Sequence, residues 1–172
     1  MKKFVLIFCS LITISLITFI FFFQAEPVKF NTITVEGKFS ISIPEYLSRT
    51  DSIDAHALLQ CKNEKEQIFL LVYEKTDSTN ALLNTLFKNF ADDFIAQIEH
   101  GNLIKYYPEK INGMDAFIGN IRGSVNETGV YYRIAIISSD SSFYEIIIGI
   151  TENMKSTYVE DIDKIIRGFI IF

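Results

Sequence analysis

The chain opens on an unbroken apolar run and then changes to short alternating and helical patterns. Phe4 to Phe23 is free of charge, and its only polar members are Ser10, Thr13, Ser15 and Thr18. Pro27 marks a break, and residues 26–34 read as a linker running into a first strand that ends at Val35. Phe39-Ser40-Ile41-Ser42-Ile43-Pro44 alternates with period two, which sets Phe39, Ile41 and Ile43 on one face of a strand. Gly37 supplies the turn before it, Pro44 ends it, and residues 45–55 read as loop. Ala57–Cys61 and Gln67–Glu74 are two more strands, joined by the polar stretch Lys62 to Glu66. Ile68 to Tyr73 is almost continuously apolar, so a helix has to cover one face of its sheet and something else part of the other.

The period then changes. From Ser78 to His100, Leu83, Leu86, Phe90, Phe94 and Ile98 recur at spacings of three and four, which predicts an amphipathic helix. Asp77, Ser78 or Thr79 would cap its start, and His100-Gly101 would end it. Four strand-like runs follow: Leu103–Ile111, Met114–Ser124, Val130–Ser138 and Ser142–Thr151. Asn112-Gly113 is a two-residue hairpin signal, and polar connectors separate the remaining runs. A last helix is predicted over 153–168, with Met154, Tyr158, Ile162, Ile165 and Phe169 as its buried stripe and Thr151 as its cap. The order is strands, helix, four strands, helix. It predicts an α+β domain built on a single antiparallel sheet flanked by two main helices, preceded by one N-terminal apolar helix.

Charge and composition place the chain in a compartment. Twenty apolar residues at ~1.5 Å rise span about 30 Å, the thickness of bilayer hydrocarbon. Lys2 and Lys3 precede the run and favour a cytoplasmic N-terminus, which sends the remainder to the extracytoplasmic side. Residues 1–25 are therefore a signal anchor, or a signal peptide cut near Ala25. The run is longer than a usual signal-peptide core, and Phe23 is bulky where a small residue is wanted, so the anchor is the better reading. Beyond the two lysines the chain holds 14 basic and 21 acidic residues, a net charge of −7. Such a domain repels phosphate backbones and anionic lipid surfaces, which excludes nucleic acid as a natural partner and confines membrane contact to residues 4–23.

Several stretches resemble the PsbP/Mog-type fold and the DcrB-like exported bacterial proteins that share it. Phe39–Leu47 (FSISIPEYL) is similar to that group's first strand. Ile111–Gly123 (INGMDAFIGNIRG) and Val130–Thr151 (VYYRIAIISSDSSFYEIIIGIT) resemble its central meander, and the closing helix ending at Gly168-Phe169 resembles its terminal helix. Asp54–Glu74 is similar to uncharacterised exported proteins of this type. Tyr46 stands where relatives often carry tryptophan, a residue this chain lacks. The resemblance covers residues 35–172 and implies an α/β/α sandwich. It also implies a non-enzymatic accessory or binding module, as in photosystem assembly, small-GTPase binding or envelope uptake. The fold alone carries none of those roles over.

Candidate chemistry is sparse. His56 and His100 are the only histidines. Asp54 and His56 could form part of an acid–base pair for a small hydrolase, but no Gly-x-Ser-x-Gly elbow accompanies them, and a loop histidine and a helix-capping histidine account for both. Cys61 is alone in the domain and reads as a small buried hydrophobe. Glu160, Asp161 and Asp163 lack calcium-loop spacing and read as a solvated helix face. No cofactor and no metal site is expected. Tyr106, Tyr107, Tyr131, Tyr132 and Tyr144, with Phe143, form the remaining candidate, because neighbours along a strand point to opposite faces and one of each pair could line a binding surface. The expected function is thus a membrane-tethered extracytoplasmic module for a protein or envelope partner. A carrier of a small apolar ligand held between sheet and helix is the other non-catalytic reading.

Overall fold

The computed structural model describes residues 27–76, 82–140 and 142–172. The apolar run Phe4–Phe23 and the predicted caps Asp77, Ser78 and Thr79 lie outside these residues. Among the described residues no helix is long and apolar enough to cross a membrane.

Ten strands form two antiparallel sheets. The smaller has the order β1-β2-β10, made of β1 (Phe30–Val35), β2 (Phe39–Pro44) and β10 (Ile170–Ile171). The larger has the order β3-β4-β5-β9-β8-β7-β6. Its members are β3 (Ser48–Arg49), β4 (Leu59–Asn63), β5 (Ile68–Thr76), β6 (Glu99–Ile111), β7 (Met114–Val125), β8 (Thr128–Ser138) and β9 (Ser142–Thr151). The helices are α1 (Leu83–Ile95) and α2 (Lys155–Arg167), the latter entered through a 3-10 turn at Glu152–Met154. The single sheet expected from sequence is therefore two. The alternation of β2 does bury Phe39 and Ile41 completely. An alternation states which side of a strand meets the core, but not which neighbours it bonds. Here β2 bonds only to β1 and to the last residues of the chain.

The large sheet has apolar side chains on both faces. Ile68, Leu70, Val72, Ala135, Ile137, Ile146 and Ile148 face the small sheet and α2, together with Phe39, Ile41, Ile162, Ile165 and Phe169. Leu71, Ile121, Ile134, Ile136 and Ile147 face α1, which contributes Phe87 and Ala91. The run at 68–73 demanded cover on both faces; the face toward the small sheet and α2 is closed, while α1 covers the other face only over β6, β7 and β8. The cover is provided by one helix on one side, and by a helix plus a second sheet on the other.

Two hairpins turn on residues with positive φ. Asn112 and Gly113 have φ of 49° and 90°, and Asn126 and Glu127 have 48° and 66°, the type I′ geometry that matches strand twist. Asn112 does a second job. Its Nδ2 donates to the carbonyls of Arg167 (3.0 Å) and Phe169 (2.7 Å), capping the end of α2 from across the molecule. Asn112→Gly keeps the backbone unstrained and removes only those bonds. It is expected to lower stability by about 1–2 kcal/mol, read from the urea midpoint.

The first helix is shorter than the 78–100 periodicity predicts. It stops at Ile95, and residues 99–111 are strand. His100, expected as a helix cap, takes a left-handed conformation (φ 54°) inside β6. Gly101 is required by close packing instead, since a Cβ there would sit 2.8 Å from the Ile95 carbonyl oxygen. Leu82 precedes the helix in an extended conformation with no side-chain cap, and Thr151 does not cap the 3-10 turn.

Candidate functional site

The α1 periodicity picks out a stripe that is only partly used against the sheet. Phe87 and Ala91 are fully buried under the helix, whereas Leu86, Phe90 and Phe94 are half-buried. The reason lies in the position of α1. It packs on β6, β7 and β8, and no helix among the described residues covers the same face of β5 and β9. The consequence is an open groove of about 750 Å³ beside the helix.

Phe69, Leu71 and Tyr73 of β5 and Phe143, Glu145 and Ile147 of β9 line one side of the groove. Leu86, Phe90, Asp93 and Phe94 form the helical wall, and Asp54 and His56 stand at the rim. A narrower apolar recess of about 250 Å³ continues past Phe69, Val125 and Tyr132 to Val130 and Ile150. Rings dominate the junction: Phe94 meets Tyr132 edge-on at 4.9 Å between centroids, and Phe69 lies 6.1 Å from Tyr132. Gly149 makes this possible, because a Cβ there would stand 2.5 Å from the Phe69 ring and 2.8 Å from Tyr132.

The polar groups of the groove differ in how well they are satisfied. Asp54 Oδ1 accepts from the backbone N–H of His56 (2.8 Å) and stands 3.1 Å from His56 Nδ1, while Oδ2 accepts from the Tyr73 hydroxyl (2.8 Å). These donors, the His56 backbone first, hold the Asp54 carboxyl below its ordinary range. Burial, then the Asp54 carboxylate, raises the Tyr73 hydroxyl. The Asp54–His56 contact predicted from sequence therefore exists. Its imidazole is 91% exposed, and no hydroxyl or thiol is bonded to it among the described residues. Glu145 is different. It forms no ion pair among the described residues, and burial pushes its carboxyl above the ordinary range, with Lys75 opposing and Asp93 adding to the rise.

The five tyrosines do not share a surface. Tyr107, Tyr131 and Tyr144 point toward α2, and Tyr106 and Tyr132 toward α1, as strand alternation requires. Tyr131 (1% exposed), Tyr144 (2%) and Tyr132 (8%) are buried. Tyr106 is the most open, stacked on Phe87 at 5.5 Å. Of the five, only Tyr132 lines the groove. Tyr144 donates to Glu74 (3.3 Å), and burial first, then Glu74, pushes its hydroxyl up to about 12.

No family model matches the sequence, and no curated protein matches it by sequence. Solved structures do match. The solution structure of cyanobacterial PsbP (CyanoP) from Synechocystis superposes with a TM-score of 0.67 over 87% of this chain and 96% of that one, at 12% identity. The Ran-binding protein Mog1p of Saccharomyces cerevisiae gives 0.64 over 84% and 96%, at 9% identity. The chain has the PsbP/Mog-type fold. LpqN of Mycobacterium tuberculosis, involved in cell envelope biogenesis, matches with a TM-score of 0.56 over 84% of this chain and 91% of that one, at 10% identity. At such identities the PsbP/Mog-type likeness fixes the architecture and leaves the residues of the site to be read from this chain itself.

Within that PsbP/Mog-type frame, Glu160 of α2 is exposed as expected from sequence, whereas Asp161 and Asp163 are turned to partners within the protein. Asp161 is 7% exposed, accepting from Tyr46 Oη (3.2 Å) and pairing with Lys164 (3.2 Å). Asp163 pairs with Arg133 at 2.7 Å. Periodicity missed both because their partners, Tyr46 in the turn after β2 and Arg133 in β8, are distant in sequence. Cys61 is fully buried, and burial pushes its thiol up to about 11, the state of an inert core residue.

Proposed function

We propose that the protein is a non-enzymatic, membrane-tethered extracytoplasmic binding module that receives its ligand in the groove between α1 and the exposed half of the large sheet. The observation that carries this reading is the groove itself. Its volume falls within the range of ligand sites, and its walls combine aromatic and aliphatic side chains with polar ones such as Lys75, Asn89, Asp93, Gln97 and Glu145. Leaving Phe69, Phe90 and Phe94 half in water makes no sense for packing alone, since a larger helix contact would bury them. The charge-free run Phe4–Phe23 behind Lys2 and Lys3 supports the tether and the orientation. One fold relative supports a binding role, Mog1p being described as Ran-binding, and another an envelope setting, LpqN being described as involved in cell envelope biogenesis.

The test uses the full chain in membranes of an expressing bacterium. A photo-crosslinking residue replaces Phe94 in the groove or Lys110 on the remote hairpin. Adducts are expected from position 94 and not from 110, and equal or absent yields at both would overturn the groove reading. The tether is checked separately. Lys110→Cys should react with a membrane-impermeant maleimide in intact cells, while the buried Cys61 stays silent. Mature protein beginning at Glu26 would replace the anchor by a cleaved signal. The alternative of a small hydrolase working through Asp54 and His56 predicts ester or amide turnover that His56→Ala abolishes. The expected result is no turnover.

A further inference from the structure

The groove combines apolar rings and aliphatic side chains with polar groups, and its charged groups are mostly acidic. Three carboxylates line one end: Asp54 from the loop, Asp93 from α1 and Glu145 from β9. Asp54 is already satisfied by His56 and Tyr73. Glu145 has no side-chain hydrogen bond or ion pair among the described residues; it is part-buried in β9 and lies directly across the ladder from Tyr73. The nearest cation on the sheet, Lys75, has its ammonium over the Tyr73 ring at 5.7 Å and pairs with no carboxylate among the described residues. A desolvated carboxylate without a counter-ion is costly to keep. This end of the groove is short of positive charge, with three carboxylates to the single Lys75, and the rest of it offers ring faces and aliphatic wall, both favourable to a cation on an apolar body.

Resting on the groove as the binding site, we propose that its ligand is a small cationic amphiphile. The ammonium or similar head sits between Glu145 and Asp93, within reach of the Phe90 and Phe143 rings. The apolar body lies along Phe69 and Phe94 and ends in the recess beside Val130 and Ile150. The recess explains why the ligand is chain-like. It extends the groove away from the acidic end and holds no charged residue. The net balance explains the sign of the head, since three carboxylates stand against one lysine along the groove.

The test is titration of the full chain in phosphatidylcholine nanodiscs, with empty discs subtracted, using hexyltrimethylammonium, 1-hexanol and hexanesulfonate. Binding is read by calorimetry and by methyl NMR shifts at Leu71 and Ile147. The ammonium compound is expected to bind about tenfold or more tightly than the other two, the size of one cation–π and ion-pair contact in a partly dry site. Glu145→Gln should erase most of that preference and leave hexanol binding unchanged. Asp93→Asn, on the exposed face of α1, should reduce the preference a few-fold and serves if the first variant does not fold.

The affinity for the ammonium should fall as pH drops through the raised carboxyl range of Glu145, because the protonated acid no longer attracts a cation. Lys75 and Tyr73 from β5, Asp93 from α1, and Asp54 and His56 from the rim loop all face this group. The decisive comparison is therefore with Glu145→Gln, which retains His56 and should show a shallower slope. If hexanol or the sulfonate shifts the groove methyls with equal affinity, the groove binds ligand but the cationic head is wrong. If acetyl-Leu-Lys-Leu-Lys-Leu-amide binds more tightly than the ammonium, the occupant is a basic protein segment and the amphiphile is wrong. If none of the probes moves the groove methyls, both the head and the groove reading fall.

Discussion

Phe39→Ala is expected to lower stability by about 3–5 kcal/mol, as for other fully buried phenylalanines. Phe39 is 0% exposed in the middle strand of the small sheet. Its ring meets Tyr144 of β9 edge-on at 5.4 Å and Phe169 at 4.8 Å, and Tyr144 and Phe169 lie 5.3 Å apart. The three rings thus join the small sheet, the large sheet and the end of α2, so truncating the central one opens a cavity shared by three elements. Each aromatic pair adds about 0.5–1.5 kcal/mol beyond burial, which places this site toward the upper part of the range. Phe90→Ala is the matched control. Its ring is half-buried in the groove wall, and its loss should change the urea midpoint far less. A Phe39→Ala effect no larger than that of Phe90→Ala would mean that the small sheet is not docked as described.

The contrast between those two residues shows what can be read from one sequence. The alternation at 39–43 identified Phe39 as inward-facing, and the structure agrees. The same sequence put Phe90 and Phe94 on the buried stripe of α1, yet they line an open groove. Periodicity reports that a residue is apolar and which side it is on. It does not report whether an element is present to meet it. The groove exists because α1 covers β6–β8 and stops short of β5 and β9, a fact of strand order. Strand order was not legible, since β9 returns to pair with β5 across a helix and three intervening strands. The second sheet was missed for the same reason, its third strand being two residues at the far end of the chain. Asn112-Gly113, by contrast, was legible because a two-residue turn depends only on its own backbone. Asp54 and His56 were legible as a pair because they are two residues apart. Glu145, a carboxylate of the groove with no ion pair among the described residues, gave no signal beyond being one charge in a strand of isoleucines (Ser142–Thr151), which in retrospect was the clue.

A second charge in an apolar strand leads to the other large effect. Arg133 of β8 is 7% exposed beneath α2. Its Nη1 donates to Asn120 Oδ1 (2.6 Å), which also accepts from the Tyr131 hydroxyl (2.9 Å), and its Nη2 donates to the Tyr107 hydroxyl (2.8 Å). Asp163 supplies the only negative charge paired with it among the described residues, at 2.7 Å from Nη2. The two partners are not equivalent. The guanidinium is buried and cannot deprotonate, whereas the Asp163 side chain is 37% exposed and can rehydrate. Asp163→Asn therefore strands a buried cation among neutral groups and is expected to cost about 3–5 kcal/mol. Arg133→Met, which leaves only neutral acceptors and a carboxylate open to water, should cost less, about 1–3 kcal/mol. The double variant should resemble Arg133→Met alone, because the acid has no further task once the cation is gone. Urea unfolding of the four proteins measures the cycle. If Arg133→Met is the more damaging single change, the pair is held by the carboxylate and not by the guanidinium, and the asymmetry drawn from burial is wrong.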